Sequence, residues 1–111
     1  MLAQHDATLA CWDTKYTYLE KRSTMFDPAI TSLFATPAHP SYPSGHACVG
    51  GAFALVLDTM FPVDSPTFDA KASEAGLSTF YAGIHLRSDV DAGLALGRTA
   101  ATAVVAKASQ P

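Results

Sequence analysis

The large apolar residues at the start of the chain recur at the spacing of an α-helix. Successive members lie seven, three, four and three positions apart: Leu2, Leu9, Trp12, Tyr16 and Leu19. This spacing predicts an amphipathic helix over residues 3–22. The helix would carry two basic residues, Lys15 and Arg22, near its end.

A second apolar stretch runs from Ser44 to about Met60. Its apolar residues occupy nearly the whole helical circumference, which is typical of a buried helix. Phe61–Pro62 would end this helix, because proline disrupts a helix interior.

Between these two helices lies a segment without a sustained period. Residues 23–43 contain four prolines, so we expect a long ordered loop with a short turn around residues 28–34. Loops of this length in compact domains are usually functional.

Two further helices are predicted in the second half of the chain. Ser65–Pro66 has the signature of a capped helix start, and this helix would run to about Ala75, with Gly76 as its terminator. Residues 77–86 fit either a short helix or an apolar turn. A capping box at residues 88–91 would begin the last helix, which runs to about Ala108 and is rich in small residues that allow close packing.

These patterns define the fold class. No alternation of apolar and polar residues longer than four positions indicates a strand. We therefore predict an all-α fold, a compact bundle of about four to five helices. At 111 residues the chain is expected to form a single domain over residues 1–111.

Composition narrows the set of partners. The net charge of −3 argues against nucleic acid as a partner, because phosphate binding needs a basic face. Only 15% of the residues are charged, so some apolar surface is expected to meet a partner, and a homo-oligomer is compatible with this. The longest apolar run, residues 47–57, is far below the ~18 residues of a membrane span. No signal-peptide pattern is visible, so we expect a soluble chain whose compartment is unassigned.

The two cysteines, Cys11 and Cys48, are too far apart in sequence for a metal knuckle and too few for a disulfide framework. We interpret both as small core residues.

The start of the second helix is a candidate anion site. The free N–H groups and the positive dipole end of a helix beginning near Ser44 would face a ligand in front of Gly45. Gly45 permits close approach, Ser44 supplies a hydroxyl, and His46 supplies a proton that moves near neutral pH. The alternative is an ordinary Pro-Ser-Gly turn with a capping histidine.

Two other pairs could meet the same anion. Lys15 and Arg22 lie two helical turns apart and would reach the same side, although a solvated basic edge explains them equally well. Asp89 lies four residues after His85, close enough to bond one ring nitrogen and raise the basicity of the other. A core histidine held by a capping aspartate is the alternative.

Three motifs occur in the order of a known signature. They are Trp12-Asp13-Thr14-Lys15 with Arg22, then the segment from His39 to His46 that ends in Pro43-Ser44-Gly45-His46, then Gly83-Ile84-His85 with Asp89. In this respect the chain resembles the vanadium-dependent haloperoxidases and type 2 phosphatidic acid phosphatases. The match runs from about Asp6 to Gly97. His39-Pro40 and the spacing of Trp12 and Lys15 are more similar to the soluble haloperoxidase-like branch.

The resemblance implies a fold, roles and a cofactor. It implies a haloperoxidase/acid-phosphatase-like core with an oxyanion site bounded by the first, second and last helices. By this resemblance the oxyanion would be bound by Lys15, Arg22, Ser44 and Gly45, with Thr79 at the position of a further family residue. His85 would bind vanadate axially or attack phosphorus, Asp89 would orient His85, and His46 would act as acid or base. Trp12 and His39 would line the pocket.

Vanadate is the implied cofactor, and phosphate would occupy the same site, because histidine-bound vanadate has the five-coordinate shape of phosphoryl transfer. The implied small-molecule substrates are hydrogen peroxide with a halide, or a phosphate ester. His39 favours bromide over chloride, since chloride-using relatives tend to place Phe there.

Two departures from the family pattern stand out. Ser23 replaces a proline, and Ser78-Thr79 replaces Ser-Arg, so a charged donor becomes a short hydroxyl. Arg87, two residues past His85, should point elsewhere. The chain is also short for this family, whose soluble members carry additional helices. Three functions follow as alternatives: a haloperoxidase, a histidine-dependent acid phosphatase, and a non-catalytic oxyanion-binding domain.

Overall fold

The computed structural model describes all residues from Met1 to Pro111 and contains no β-strand. Its helices are α1 (Leu2–Tyr18), α2 (Ser23–Phe26), α3 (Gly45–Met60), α4 (Ser65–Tyr81) and α5 (Arg87–Ala108), with a 3₁₀ turn at Pro62–Asp64. Four of the helices are long, and α2 is a single turn. The predicted all-α fold is confirmed.

Helix α1 ends earlier than predicted. Leu19 adopts a left-handed backbone with φ of 53°, and its N–H donates to the carbonyl of Lys15. This geometry closes a helix, but it usually requires glycine, so the local sequence does not indicate the end. The prediction that Lys15 and Arg22 share one helix is therefore wrong, because Arg22 is extended and directly precedes α2.

The buried face of α1 consists of small residues and one lysine. Steps of four positions bring Ala3, Ala7, Cys11 and Lys15 to the core. The large apolar residues that revealed the helix are instead exposed, namely Leu2, Leu9, Trp12, Tyr16 and Leu19. The core at this end contains Ala3 and Ala7 of α1 with Ala52 of α3 and Ala101 of α5. Such close packing leaves no room for larger side chains.

Helix α3 is central and contacts α1, α4 and α5. Its buried residues are small: Ala47, Cys48, Gly51, Ala52 and Ala54. The predicted close packing of the last helix is confirmed, because a Cβ atom at Gly97 would lie 1.9 Å from the Cys48 carbonyl oxygen. The backbones of α3 and α5 therefore touch. The N–H of Ser44 donates to the Asp89 carbonyl at 2.8 Å, which joins the N-terminus of α3 to the start of α5.

Helix α4 continues through the glycine that was expected to end it. Gly76 is buried inside the helix, where a Cβ atom would lie 2.8 Å from Val90 Cγ1 and 3.3 Å from Ala47 Cβ. It serves close packing and is not a terminator. The helix ends at Tyr81, so residues 77–81 are helical and residues 82–86 form a turn.

Helix α5 begins at Arg87, one residue before the predicted cap. Leu86 is the N-cap residue, and its N–H donates to Asp89 Oδ2 at 2.9 Å. The predicted capping box is therefore wrong by two residues, because Leu86 and Asp89 form it and not Ser88 and Asp91, whose carboxylate accepts from Arg87. The bond from Leu86 also fixes Asp89 beside the turn that carries His85.

The two cysteines form a disulfide between α1 and α3, with a Cα–Cα distance of 6.3 Å. Both are fully buried, as expected of core residues. The interpretation as unpaired core cysteines is wrong, because the packing of α1 on α3 brings together two residues that are 37 positions apart.

None of the helices combines the length and the apolar character that crossing a bilayer requires.

Candidate functional site

The N-terminus of α3 presents backbone donors without protein partners. Ser44 caps the helix by accepting the N–H of Ala47 on its side-chain oxygen at 3.4 Å. The N–H groups of Gly45 and His46 donate to no protein atom. A Cβ atom at position 45 would lie 3.3 Å from the Trp12 ring, so glycine leaves space in front of the helix. This end of α3 can accept an oxyanion.

His85 is oriented by a buried carboxylate. Its Nδ1 lies 3.2 Å from Asp89 Oδ2, which also accepts Ser41 Oγ at 2.6 Å and the N–H of Leu86. Burial raises the pKa of Asp89, but hydrogen bonds from His85, Ser41 and Leu86 bring it below its ordinary value. The ionised carboxylate places the imidazole proton on Nδ1, so Nε2 carries the lone pair, which faces the Arg22 guanidinium.

Ser41 is a site residue that the sequence-based prediction missed. It is fully buried, and its hydroxyl lies 3.3 Å from His85 Nδ1 as well as bonding Asp89. In the sequence Ser41 is 44 residues away from His85 and 48 residues away from Asp89. A serine in a proline-rich loop is unremarkable locally, so only its proximity to the extended Ser44 motif could have indicated this role.

Arg22 lies beside Nε2, the unprotonated ring nitrogen of His85. Its Nη1 is 3.3 Å from His85 Nε2 and donates to the Ile84 carbonyl at 2.9 Å. The same guanidinium bonds the His39 carbonyl through Nε at 3.0 Å, while Nη2 lies 3.1 Å from His39 Nδ1. Burial is the main cause that lowers the pKa of His85, and the charge of Arg22 lowers it further. The hydrogen bond with Asp89 opposes both effects without cancelling them. His85 is therefore held as a neutral base at neutral pH.

Lys15 is fully buried and bonds the loop before α3. Its ammonium donates to the carbonyls of Pro40, Ser41 and Pro43, at 2.8, 3.1 and 2.5 Å. All three of its donors are thus used by the protein. Lys15 contributes positive charge at the site, and it also holds the loop that positions Ser41.

The two departures from the family pattern have defined positions. Thr79 is buried, donates to the Gly76 carbonyl at 2.7 Å and lies 3.4 Å from Ser44 Oγ, so it stands against the N-terminus of α3 without adding charge. Ser23 Oγ donates to the Gly83 carbonyl at 2.5 Å, a bond that proline could not make.

Arg87 does not replace the missing charge, as predicted. It is exposed on the first turn of α5, where its Nε lies 3.1 Å from Asp91 Oδ1.

A cavity of about 540 Å³ opens beside these groups. Trp12, His39, Gly45, His46 and His85 all line it. The rings of Trp12 and His39 contact each other with centroids 5.4 Å apart. His46 is exposed at this edge.

Anion binding at this site is expected to weaken as the pH rises above about 8. Burial and then the charge of Arg22 lower the pKa of Lys15 to about 8, so its positive charge is lost in this range. The dissociation constant of sulfate, whose charge does not change here, should stay level below about pH 8 and increase several-fold above it. Calorimetry would measure it. Lys15→Met should bind sulfate more weakly and without this step, and a level wild-type affinity to about pH 10 would contradict the expectation.

Comparison with known proteins agrees with these motifs. The sequence matches the PAP2 superfamily over residues 2–110. A non-specific acid phosphatase of Providencia stuartii is 44% identical over 47% of this chain and 21% of that protein. A vanadium-dependent bromoperoxidase of Ascophyllum nodosum is 33% identical over 58% of this chain and 17% of that protein.

A solved structure is similar over nearly the whole chain. The first bacterial vanadium-dependent iodoperoxidase superposes with a TM-score of 0.81 and 33% identity, covering 95% of this chain and 31% of that one. The chain spans less than a third of the length of each of these three proteins. Because the family match extends over residues 2–110, the chain belongs to the PAP2 superfamily.

Proposed function

We propose that this chain is a vanadate-dependent haloperoxidase that oxidises halide with hydrogen peroxide. The observation that carries the proposal is His85, whose Nδ1 is held by Asp89 while its Nε2 faces Arg22 at the edge of the cavity. A neutral imidazole fixed in this tautomer is a metal ligand. The similarity to the bacterial iodoperoxidase over 95% of the chain supports this proposal.

The residues present fit an oxyanion such as vanadate. The N–H groups of Gly45 and His46 lack acceptors, and the missing side chain at Gly45 leaves space beside Trp12. Lys15 and Arg22 supply positive charge, and His85 Nε2 would hold the vanadate. When bound, vanadate provides a Lewis-acidic centre that activates peroxide towards halide.

The side chains around the anion have separate tasks. Asp89 and Ser41 keep the His85 proton on Nδ1, so Nε2 remains available. His46 accepts or donates a proton at the cavity edge. Bromide is the expected halide. His39 lines the cavity beside Trp12, at the position where chloride-using relatives tend to have Phe.

A halogenation assay tests this proposal. The protein loaded with vanadate should brominate a phenol-type dye in the presence of peroxide and bromide, and iodide and chloride should be compared in parallel. Vanadate binding measured by calorimetry without any halogenation would refute the haloperoxidase function while leaving the oxyanion site intact.

A second candidate is a histidine-dependent acid phosphatase, which the cavity beside His85 favours because an organic group on the phosphate would have a place to lie. His85 Nε2 would attack phosphorus, the ester P–O bond would break, and His46 would protonate the leaving alkoxide. Water would then cleave the phosphohistidine and release phosphate. Hydrolysis of p-nitrophenyl phosphate that vanadate inhibits would support this function, and its absence would exclude it.

The third alternative is a non-catalytic oxyanion-binding domain. It is motivated by Thr79, which stands where the family pattern has a charged arginine. Thr79→Arg is expected to tighten phosphate binding by about tenfold or more, because it adds a charged donor next to Ser44. Calorimetry with inorganic phosphate checks this. Thr79→Ser keeps the hydroxyl bonded to Gly76 and should leave the affinity unchanged. If Thr79→Arg also left it unchanged, position 79 would not face the anion.

A further inference from the structure

The cavity next to the oxyanion site changes character along α3. His46, Val49, Gly50 and Phe53 lie at steps of three and four positions on one face of the helix, and all four line the cavity. The wall is polar at His46 and becomes apolar towards Phe53. The seven helical rises from His46 to Phe53 correspond to a wall about 10 Å long.

The remaining walls are mostly apolar. Trp12, Pro37, Ala75 and Ile84 contribute apolar surface, and Thr8, His39 and His85 are the polar residues there. Apart from histidines, no ionisable side chain lines the cavity. A sugar or another strongly polar group would find few hydrogen-bond partners here, whereas an apolar group would be removed from water.

Two aromatic rings of the lining are partly free. The Trp12 side chain is 39% exposed and Phe53 is 47% exposed, although both contribute to the cavity wall. Partly exposed aromatic rings in a cavity wall can contact an aromatic partner in stacked or edge-to-face arrangements. The volume of about 540 Å³ lies within the usual range of small-molecule sites.

We propose that this cavity is a subsite for an aromatic group, held between Trp12 and Phe53 while the oxyanion occupies the N-terminus of α3. The inference rests on the proposed oxyanion site and specifies the organic substrate class that this site serves. The aromatic group arrives from one of two sources. It is either the esterifying group of a bound aryl phosphate or a free phenol lying beside the bound anion.

Binding measurements test the subsite without requiring turnover. Phenylphosphonate and methylphosphonate carry the same anionic head, so their difference in affinity reports the aromatic group alone. By calorimetry, phenylphosphonate should bind the wild-type chain about tenfold more tightly. Phe53→Ala should remove most of this preference without weakening methylphosphonate binding.

Two further variants separate the subsite from general effects on folding. Ala75→Phe should fill the cavity and abolish the preference for phenylphosphonate while methylphosphonate still binds. Phe61→Ala is the matched control, because Phe61 is 50% exposed and lies at the other end of α3, outside the cavity. It should retain the full preference.

A second arm distinguishes the two sources. Phenol is titrated into the chain saturated with inorganic phosphate, with and without Phe53→Ala. If phenol binds in a Phe53-dependent way but phenylphosphonate is not preferred over methylphosphonate, the subsite serves a free phenol and not an aryl phosphate. If phosphate and methylphosphonate bind but no aromatic contribution appears in either arm, the subsite is refuted and the oxyanion site stands. Failure of all three anions to bind would refute the oxyanion site, and the inference with it.

Discussion

Reduction of the disulfide between Cys11 and Cys48 is expected to lower the free energy of unfolding by about 4 kcal/mol. The bond joins residues 37 positions apart, and opening it restores the conformational freedom of that loop to the unfolded chain. Domains of this size are typically stable by about 5–15 kcal/mol, so the reduced chain would lose a large part of its stability.

Equilibrium unfolding in guanidinium chloride, with and without reductant, measures this difference. The double variant Cys11→Ala/Cys48→Ala serves as control, because its unfolding midpoint should not respond to reductant. Equal midpoints for the oxidised and reduced wild-type chain would contradict the expected contribution.

His85→Ala is expected to reduce turnover by about 10³-fold or more, in whichever of the two assays the wild-type chain is active. The substitution removes the nitrogen that would bind vanadate or attack phosphorus. Asp89→Asn should reduce turnover by roughly 10²- to 10⁴-fold, because an amide would no longer hold the proton on His85 Nδ1. Initial rates at saturating substrate would be compared with the wild type.

Circular dichroism and thermal unfolding must accompany these rates, because His85 and Asp89 are both buried. Arg87→Ala is the matched control. Arg87 lies two residues from His85 but is exposed and bonds only Asp91, so its loss should leave turnover unchanged. Retention of activity within about tenfold in a folded His85→Ala variant would exclude His85 as ligand or nucleophile.

Local patterns sufficed for the fold class and for most helices. The apolar run that became α3 depends on neighbouring residues alone, so the sequence predicted it. The start of α4 was predicted to within one residue, since Asp64 and not Ser65 is the N-cap residue. The spacing of His85 and Asp89 likewise indicated a pair that the structure places 3.2 Å apart. The two residues are only four positions apart, so the turn before α5 cannot separate them widely, although His85 itself lies outside the helix.

Helix ends were less predictable where a signal was missing or misleading. Leu19 ends α1 in a conformation that its sequence does not indicate, and Gly76 resembles a terminator but serves packing against Val90. At Gly76 the close tertiary contact overrides the local preference. The packing of α1 on α3 and α5 likewise decides that the alanines of α1, and not its leucines, face the core.

The sequence by itself determined the helical class, the family signature and the candidate residues that could meet an anion. The tertiary structure decided how those residues are used. Arg22 reaches His85 across 63 positions, Lys15 bonds carbonyls 25 to 28 positions away, and Ser41 bonds Asp89 across 48. The disulfide and the cavity walls likewise join distant segments. Such contacts depend on how α1, α3 and α5 pack, and helical periodicity contains no information about distances between helices.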